Sequence, residues 1–284
     1  MSNLALRLAS AAALLPPVIA AFILGGWWLK GLILLVTSIC LWEYGSIVAK
    51  HELRSRAALM VVGTIGSALL MFVETSVQAM LVVQLSMMAF ASMFVLAPGE
   101  LATAWRRLAT LMFGIIYVGL GMTSIGRLRE LGDELQGGAR GGFILVAFTA
   151  TWANDTCAYF AGRAFGKHKM NETISPKKTW EGFAGGAVGT LLFLLGGRFL
   201  LADVFGGMTY VDMVLISIPA SFLGPMGDLA ESMLKRNYDV KDSGKILPGH
   251  GGMLDRVDAV FFVAPWTLGY LVVLKPMVDR LLAQ

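Results

Sequence analysis

The sequence predicts an all-α polytopic membrane protein with about nine transmembrane helices, and three observations predict it. Of the 284 residues, 56% are hydrophobic and only 15% charged, and the mean hydropathy of +0.70 lies far from the soluble range. Apolar runs approach the roughly 20 residues a helix needs to cross a bilayer at nine places. The polar residues are not scattered between these runs. They gather in 150–260.

The first run, near 8–27, reads LALRLASAAALLPPVIAAFILGG at its core and has the early Arg7 and small residues of a secretory leader. Its apolar stretch outlasts a normal leader core and lacks a convincing small-x-small cleavage site, so a retained span is expected. Pro16 and Pro17 should kink it. Spans near 31–49, 58–74, 78–97 and 108–126 follow with short loops. The polar stretch RELGDELQGGARGG at 129–142 is expected to be a solvated loop. The remaining spans are placed near 142–162, 183–201, 211–230 and 257–277. Cys40 and Cys157 fall inside spans, where a thiol serves as a small hydrophobe, which suggests neither a disulfide framework nor a thiolate metal site. With no linker, low-complexity tract or repeat, the chain reads as one integrated membrane domain. Its N-terminal hydrophobic half is 1–140 and its polar half 141–284.

Of the 23 Lys and Arg residues, 16 fall at span ends sharing a side with the N-terminus and 7 on the other side. Positive charge marks the cytoplasmic side, so the N-terminus and the polar loops are expected there. The net charge of +4 comes largely from those loops and calls for an anionic partner.

Three clusters carry candidate chemistry. In TWANDTCAYF, Asn154 and Asp155 lie well inside an apolar helix with Tyr159 one turn on from Asp155. A carboxylate at such depth costs about 2.5–3.5 kcal/mol. It serves either a helix-packing hydrogen bond or a polar cavity holding a cation or substrate. In NETISPKKTWEG, Ser175 and Thr179 bracket Lys177 and Lys178 ahead of a helix start. Hydroxyls, lysines and free helix amides make a phosphate cradle, although juxtamembrane lysines also bind anionic headgroups without specificity.

The third cluster runs through GPMGDLAESMLKRNYDVKDSGKILPGHGGMLDRVD. Asp228, Glu231, Ser232 and Lys235 share one helical face. His250 sits among Gly249, Gly251 and Gly252, which allow tight turns and close backbone approach. Asp255 and Asp258, three apart around Arg256, suit a helix start yet exceed what capping requires. Hard oxygen ligands without a Cys or His pair favour Mg²⁺ over zinc, since Mg²⁺ is held by one or two carboxylates plus phosphate oxygens. Carboxylates, lysines and glycines together are equipment for phosphoryl or nucleotidyl transfer. No G-x-x-x-x-G-K-[ST] sequence is present, so a P-loop ATPase is not supported.

The 27 positions from Ser232 to Asp258 match S-x-hydrophobic-K-R, four residues, K-D, then H-G-G-x-x-D-R-x-D. This stretch, with NDTCAYFAGRAFGKHK and SPKKTWEG, resembles the phosphatidate cytidylyltransferases (CDP-diacylglycerol synthases) over about the C-terminal half. The resemblance implies that CTP and phosphatidic acid give CDP-diacylglycerol and pyrophosphate at a cytoplasm-facing cleft of a bacterial-type inner membrane. It implies Mg²⁺, with a second cation such as K⁺, and it implies Asp228 and Asp255 as metal ligands. On this reading Lys235, Arg236, Lys241 and Arg256 neutralise phosphates, His250 shapes the nucleotide pocket, and Asp242 and Asp258 complete the catalytic set. Asn154, Asp155, Ser175, Lys177, Lys178, Thr179 and Ser232 are then substrate-binding. Membrane lipids are expected partners, nucleic acid is not, and a homodimer is implied by resemblance alone. Rival readings are an ion pathway, a CTP-dependent lipid or polyprenol kinase, and a structural scaffold.

Overall fold

The computed structural model describes residues 3–134, 142–205 and 207–283. Helices α1 (Asn3–Leu24), α2 (Gly26–Val48), α3 (Leu53–Leu70), α4 (Ser76–Val95), α5 (Leu101–Gly114) and α6 (Gly121–Glu134) come first. A π-helical stretch, Ile115–Leu120, joins α5 to α6 without a break. Helix α7 (Gly142–Phe165) leads into strands β1 (Lys169–Asn171) and β2 (Ser175–Thr179), then α8 (Trp180–Leu200) and α9 (Tyr210–Asn237). After a long loop come α10 (Leu254–Val257), α11 (Val260–Gly269) and α12 (Lys275–Leu282), the last two joined by a second π-helical stretch.

Among the described residues seven helices are long and apolar enough to cross a membrane, the joined 101–134 and 260–282 included. The nine expected segments are all helical, but two fall short of that standard. In α1 the apolar part is Ala12–Leu24, and α7, 24 residues long, carries Asn154 and Asp155 in its second half. Helix α1 also continues through Pro16 and Pro17.

Two expectations are corrected. Residues 129–134 are helical rather than looped, because Ile125, Leu128 and Arg129 are buried at helical spacing while Arg127–Glu130 and Arg129–Asp133 pair one turn apart. The rest of the expected loop, 135–141, lies outside the described residues. Within this all-α fold the approach to α8, expected as a free helix start, is instead a short antiparallel hairpin of β1 and β2, with Lys169 opposite Thr179 and Asn171 opposite Ser175.

The chain divides into two compact units, a grouping that differs from a cut near 140. The first comprises 1–126 and 235–257, and the second 127–234 and 258–284. In the first, α2 is the central helix, and small residues let its neighbours close on it. A Cβ at Gly63 would stand 2.6 Å from Leu41, and one at Gly114 2.6 Å from the Tyr44 ring. Cys40 is buried there as an apolar side chain, and among the described residues no disulfide forms. In the second unit α7 and α8 pack along Gly182, Gly185, Gly186 and Gly189. Cβ atoms at Gly185 and Gly189 would fall 2.2 Å from Ala161 Cβ and 2.3 Å from Cys157 Sγ. The same unit is locked at its other end by buried Asp212, which accepts from Tyr270 Oη at 2.6 Å and Lys275 Nζ at 3.1 Å.

Candidate active site

In the first unit the site is built from the end of α9, the loop 238–253 and α10. Helix α9 closes with Val240 N–H donating to Lys235 O and Asp239 N–H to Arg236 O, a reverse turn that puts Asp239 at φ 54°. Further on, His250 N–H donates to Leu247 O, with Pro248 second and Gly249, at φ 77°, third. That is the residue order of a type II turn, whose third position calls for glycine. The turn is clasped by Leu247 and Gly251, which exchange both backbone hydrogen bonds. His250 leaves its tip with Nδ1 2.9 Å from Ser10 Oγ.

Beside this turn lies a cavity of about 460 Å³ lined by Lys241, Asp242, Lys245, His250 and Arg256 with the glycine backbone. Three cations, Lys241, Lys245 and Arg256, on its wall make an anion receptor. Arg236 is engaged at the helix end, where Nη1 reaches Val240 O at 3.4 Å.

Asp255 is the best-held group of this unit. Its Oδ1 accepts from Lys235 Nζ at 2.6 Å, and its Oδ2 from Ser243 N, Ser243 Oγ and Gly252 N at 3.0, 3.0 and 2.9 Å. Burial works to raise its pKa, but the Lys235 hydrogen bond, the Gly252 amide, the Lys235 charge and the Ser243 amide outweigh it and hold the carboxyl below its ordinary value. With the folded value depressed, the stabilisation is complete above the unfolded value of about 4 and is lost only as pH falls through the lower folded one. Amide exchange at Ser243 and Gly252, corrected for intrinsic rates, is therefore expected to stay flat from pH 8 to 5 and to rise in stronger acid. A rise already near pH 6 would contradict this.

Glu43, on α2, is a site residue that the sequence reading missed. Buried at 5% exposure, its Oε2 accepts from Ser243 Oγ at 3.1 Å and Leu254 N at 2.9 Å. The signal was available, since a lone acid in an apolar helix invites the same question as Asp155.

In the second unit a cavity of about 390 Å³ is lined by Asp155, Tyr159, Lys177, Lys178, Phe183 and Asp228, among others. Asp155 is open to it rather than sealed in the helix. Lys178 Nζ lies 2.8 Å from Asp228 Oδ2 and donates to Pro225 O at 3.3 Å, while Ser232 Oγ donates to Asp228 Oδ1 at 3.2 Å. Lys177 is exposed at the rim.

Asn154 is buried and ties helices, its Nδ2 donating to Ser221 O at 3.2 Å and Thr190 Oγ1 at 3.3 Å. The SPKKT segment is a strand, with Ser175 held in register opposite Asn171. Nor is the helix start after it fully free, because Thr179 Oγ1 accepts from Gly182 N at 3.1 Å. Glu181, also missed, fixes the approach to the hairpin by accepting from the Lys167 and His168 amides. Asp258 belongs to this unit, where its Oδ1 accepts from Ala259 N at 2.8 Å. Its carbonyl would lie 2.6 Å from a Cβ at Gly227, so only glycine permits that approach.

The model of the cytidylyltransferase family matches residues 5–274, nearly the whole chain. The chain belongs to the cytidylyltransferase family. Among its relatives, a phosphatidate cytidylyltransferase of Staphylococcus saprophyticus is 42% identical over 154 residues, 54% of this chain and 55% of the relative. One of Bacillus subtilis is 48% identical over 124 residues, 44% of this chain and 45% of the relative. The chain spans about half the length of the curated relatives it matches.

The two carboxylates offer the oxygen donors that suit a hard cation. Asp228 accepts from only Lys178 and Ser232 among the described residues and keeps a lone pair on each oxygen. On Asp255, Oδ2 accepts two backbone amides and shares the Ser243 hydroxyl proton with Glu43, and Oδ1 accepts from Lys235. Among the described residues no three His, Cys, Asp or Glu side chains form a metal cage. A magnesium ion on either carboxylate would draw its other oxygens from phosphates and water, as Mg²⁺ commonly does.

Proposed function

We propose that this cytidylyltransferase is a phosphatidate cytidylyltransferase, transferring CMP from CTP to phosphatidic acid with release of pyrophosphate. The observation that carries the reading is the anion receptor of Lys241, Lys245 and Arg256 around the Pro248–Gly249 turn. The names of the relatives and the 27-residue match support it.

In the reaction a phosphate oxygen of the lipid forms a bond to the α-phosphorus of CTP as the α–β bridging bond breaks, and that electron pair leaves on pyrophosphate. The nucleophile is already an anion, so no strong general base is needed and charge neutralisation carries the catalysis. Lys241, Lys245 and Arg256 neutralise the triphosphate, and His250 shapes the nucleotide pocket. Lys177 and Lys178 receive the lipid phosphate in a cavity whose Tyr159 and Phe183 suit a lipid's apolar part. Asp228 and Asp255 would each offer a carboxylate to Mg²⁺, which when bound offsets phosphate charge; K⁺ as a second cation belongs to the same reading. The excess of Lys and Arg on the side of the N-terminus supports a site facing the cytoplasm of a bacterial-type membrane.

The test is to incubate the purified chain with phosphatidic acid and labelled CTP, with and without Mg²⁺. CDP-lipid and pyrophosphate are expected. CDP with a phosphorylated lipid would replace this reading with a lipid kinase. Lys177→Ala is expected to raise the KM for phosphatidic acid about tenfold, near the worth of one charge-assisted contact, with the KM for CTP little altered. An unchanged KM for both would return Lys177 to general headgroup attraction.

A further inference from the structure

Glu43 lies almost 200 residues before the loop it touches, and its surroundings are shaped to it. A Cβ at Gly244 would stand 2.1 Å from Glu43 Oε1, and one at Gly252 2.6 Å from Oε2 and 2.0 Å from Ser243 Oγ. Two glycines of the loop therefore wrap the carboxylate closely enough to exclude any side chain. A buried carboxylate is costly, and this one is placed to organise Asp255 through two routes. Its hydrogen bond from Leu254 N caps the first residue of α10, the helix that carries Asp255 as its second residue. Its contact with Ser243 Oγ holds the residue that also gives its amide to Asp255.

The Ser243 hydroxyl has a single proton and stands within reach of both carboxylates, 3.1 Å from Glu43 and 3.0 Å from Asp255. Glu43 Oε1 has no hydrogen-bond partner among the described residues, so all of its directed contact goes to this loop. We infer that Glu43 is a positioning residue, holding Ser243 and the start of α10 so that Asp255 presents Oδ1 to Lys235. This rests on the reading of Asp255 as part of the transfer machinery.

The experiment uses the full-length protein in detergent, with Glu43→Ala, Glu43→Gln, Ser243→Ala and the Glu43→Ala/Ser243→Ala double variant. Glu43→Ala is expected to lower kcat per folded molecule about 10- to 100-fold, the range for residues that orient a site from behind, with a much smaller change in the KM for CTP. Glu43→Gln keeps an oxygen for both donors and is expected to recover most of that loss. The double variant is expected to be little worse than Glu43→Ala, because the two residues act in series. A wild-type kcat in Glu43→Ala, a loss in Glu43→Gln equal to that in Glu43→Ala, or fully additive losses in the double variant would each overturn the inference.

Hydrogen exchange of the segment 241–256 supplies a readout that needs no turnover. Faster exchange is expected in Glu43→Ala, and unchanged exchange overturns the positioning role. If the wild-type protein made no CDP-lipid, the proposed reaction would fall, while exchange in Glu43→Ala and Ser243→Ala would still decide the role of Glu43.

Discussion

Replacing Asp255 with asparagine is expected to reduce CDP-lipid formation by at least about a hundredfold, the scale seen when one preorganised electrostatic group is lost from a site. The reason is geometric as well as ionic. Oδ2 receives three donors and Oδ1 receives the Lys235 ammonium. An amide has one accepting oxygen and one donating nitrogen, so in either orientation its NH₂ meets a donor. The long apolar helices insert by their own hydropathy, so the variant should still insert, with some loss of stability because the Lys235–Asp255 pair is broken. Product formation from phosphatidic acid and CTP, measured per folded molecule, is the check. Full activity would remove Asp255 from the site.

Replacing Lys235 with methionine is expected to have the largest effect on stability. The Lys235 and Asp255 side chains are 11% and 8% exposed, so removing the cation leaves a carboxylate that water cannot readily serve. Breaking one side of such a pair costs about 3–5 kcal/mol, whereas replacing both members with apolar groups of similar size is often neutral. Lys235→Met/Asp255→Asn removes both charges and keeps an oxygen for the Ser243 and Gly252 amides, so it should be more stable than Lys235→Met alone and yet remain inactive. Thermal unfolding in detergent, read beside product formation, separates the two quantities. If the double variant is as unstable as the single one, the loop depends on the ion pair itself and this account of its energetics fails.

The residues that could be read from sequence were those whose chemistry is local. Apolar runs marked every long helix because their length answers to bilayer thickness. The glycines around His250 announced a tight turn, and the charged pattern from Ser232 to Asp258 pointed to the cations that line one cavity. Glu43 was legible only as a lone acid in an apolar helix, and its partners were not, because no spacing rule connects it to Ser243 and Leu254. The hairpin was missed for another reason, since three- and five-residue strands rich in lysine carry no alternation of apolar and polar positions. Helix through 129–134 was obscured by its charges, which proved to pair along the helix rather than to solvate a loop.

The glycine face between α7 and α8 has a mechanical consequence for the cavity in that unit. Asp155 rides on one helix and Lys178 lies two residues before the other, so the gauge between the two backbones bears on how far apart these lining residues stand. At Gly185 and Gly189 that gauge is fixed by touching atoms with no slack to absorb a methyl group, which lets small residues outside the cavity's lining govern its breadth.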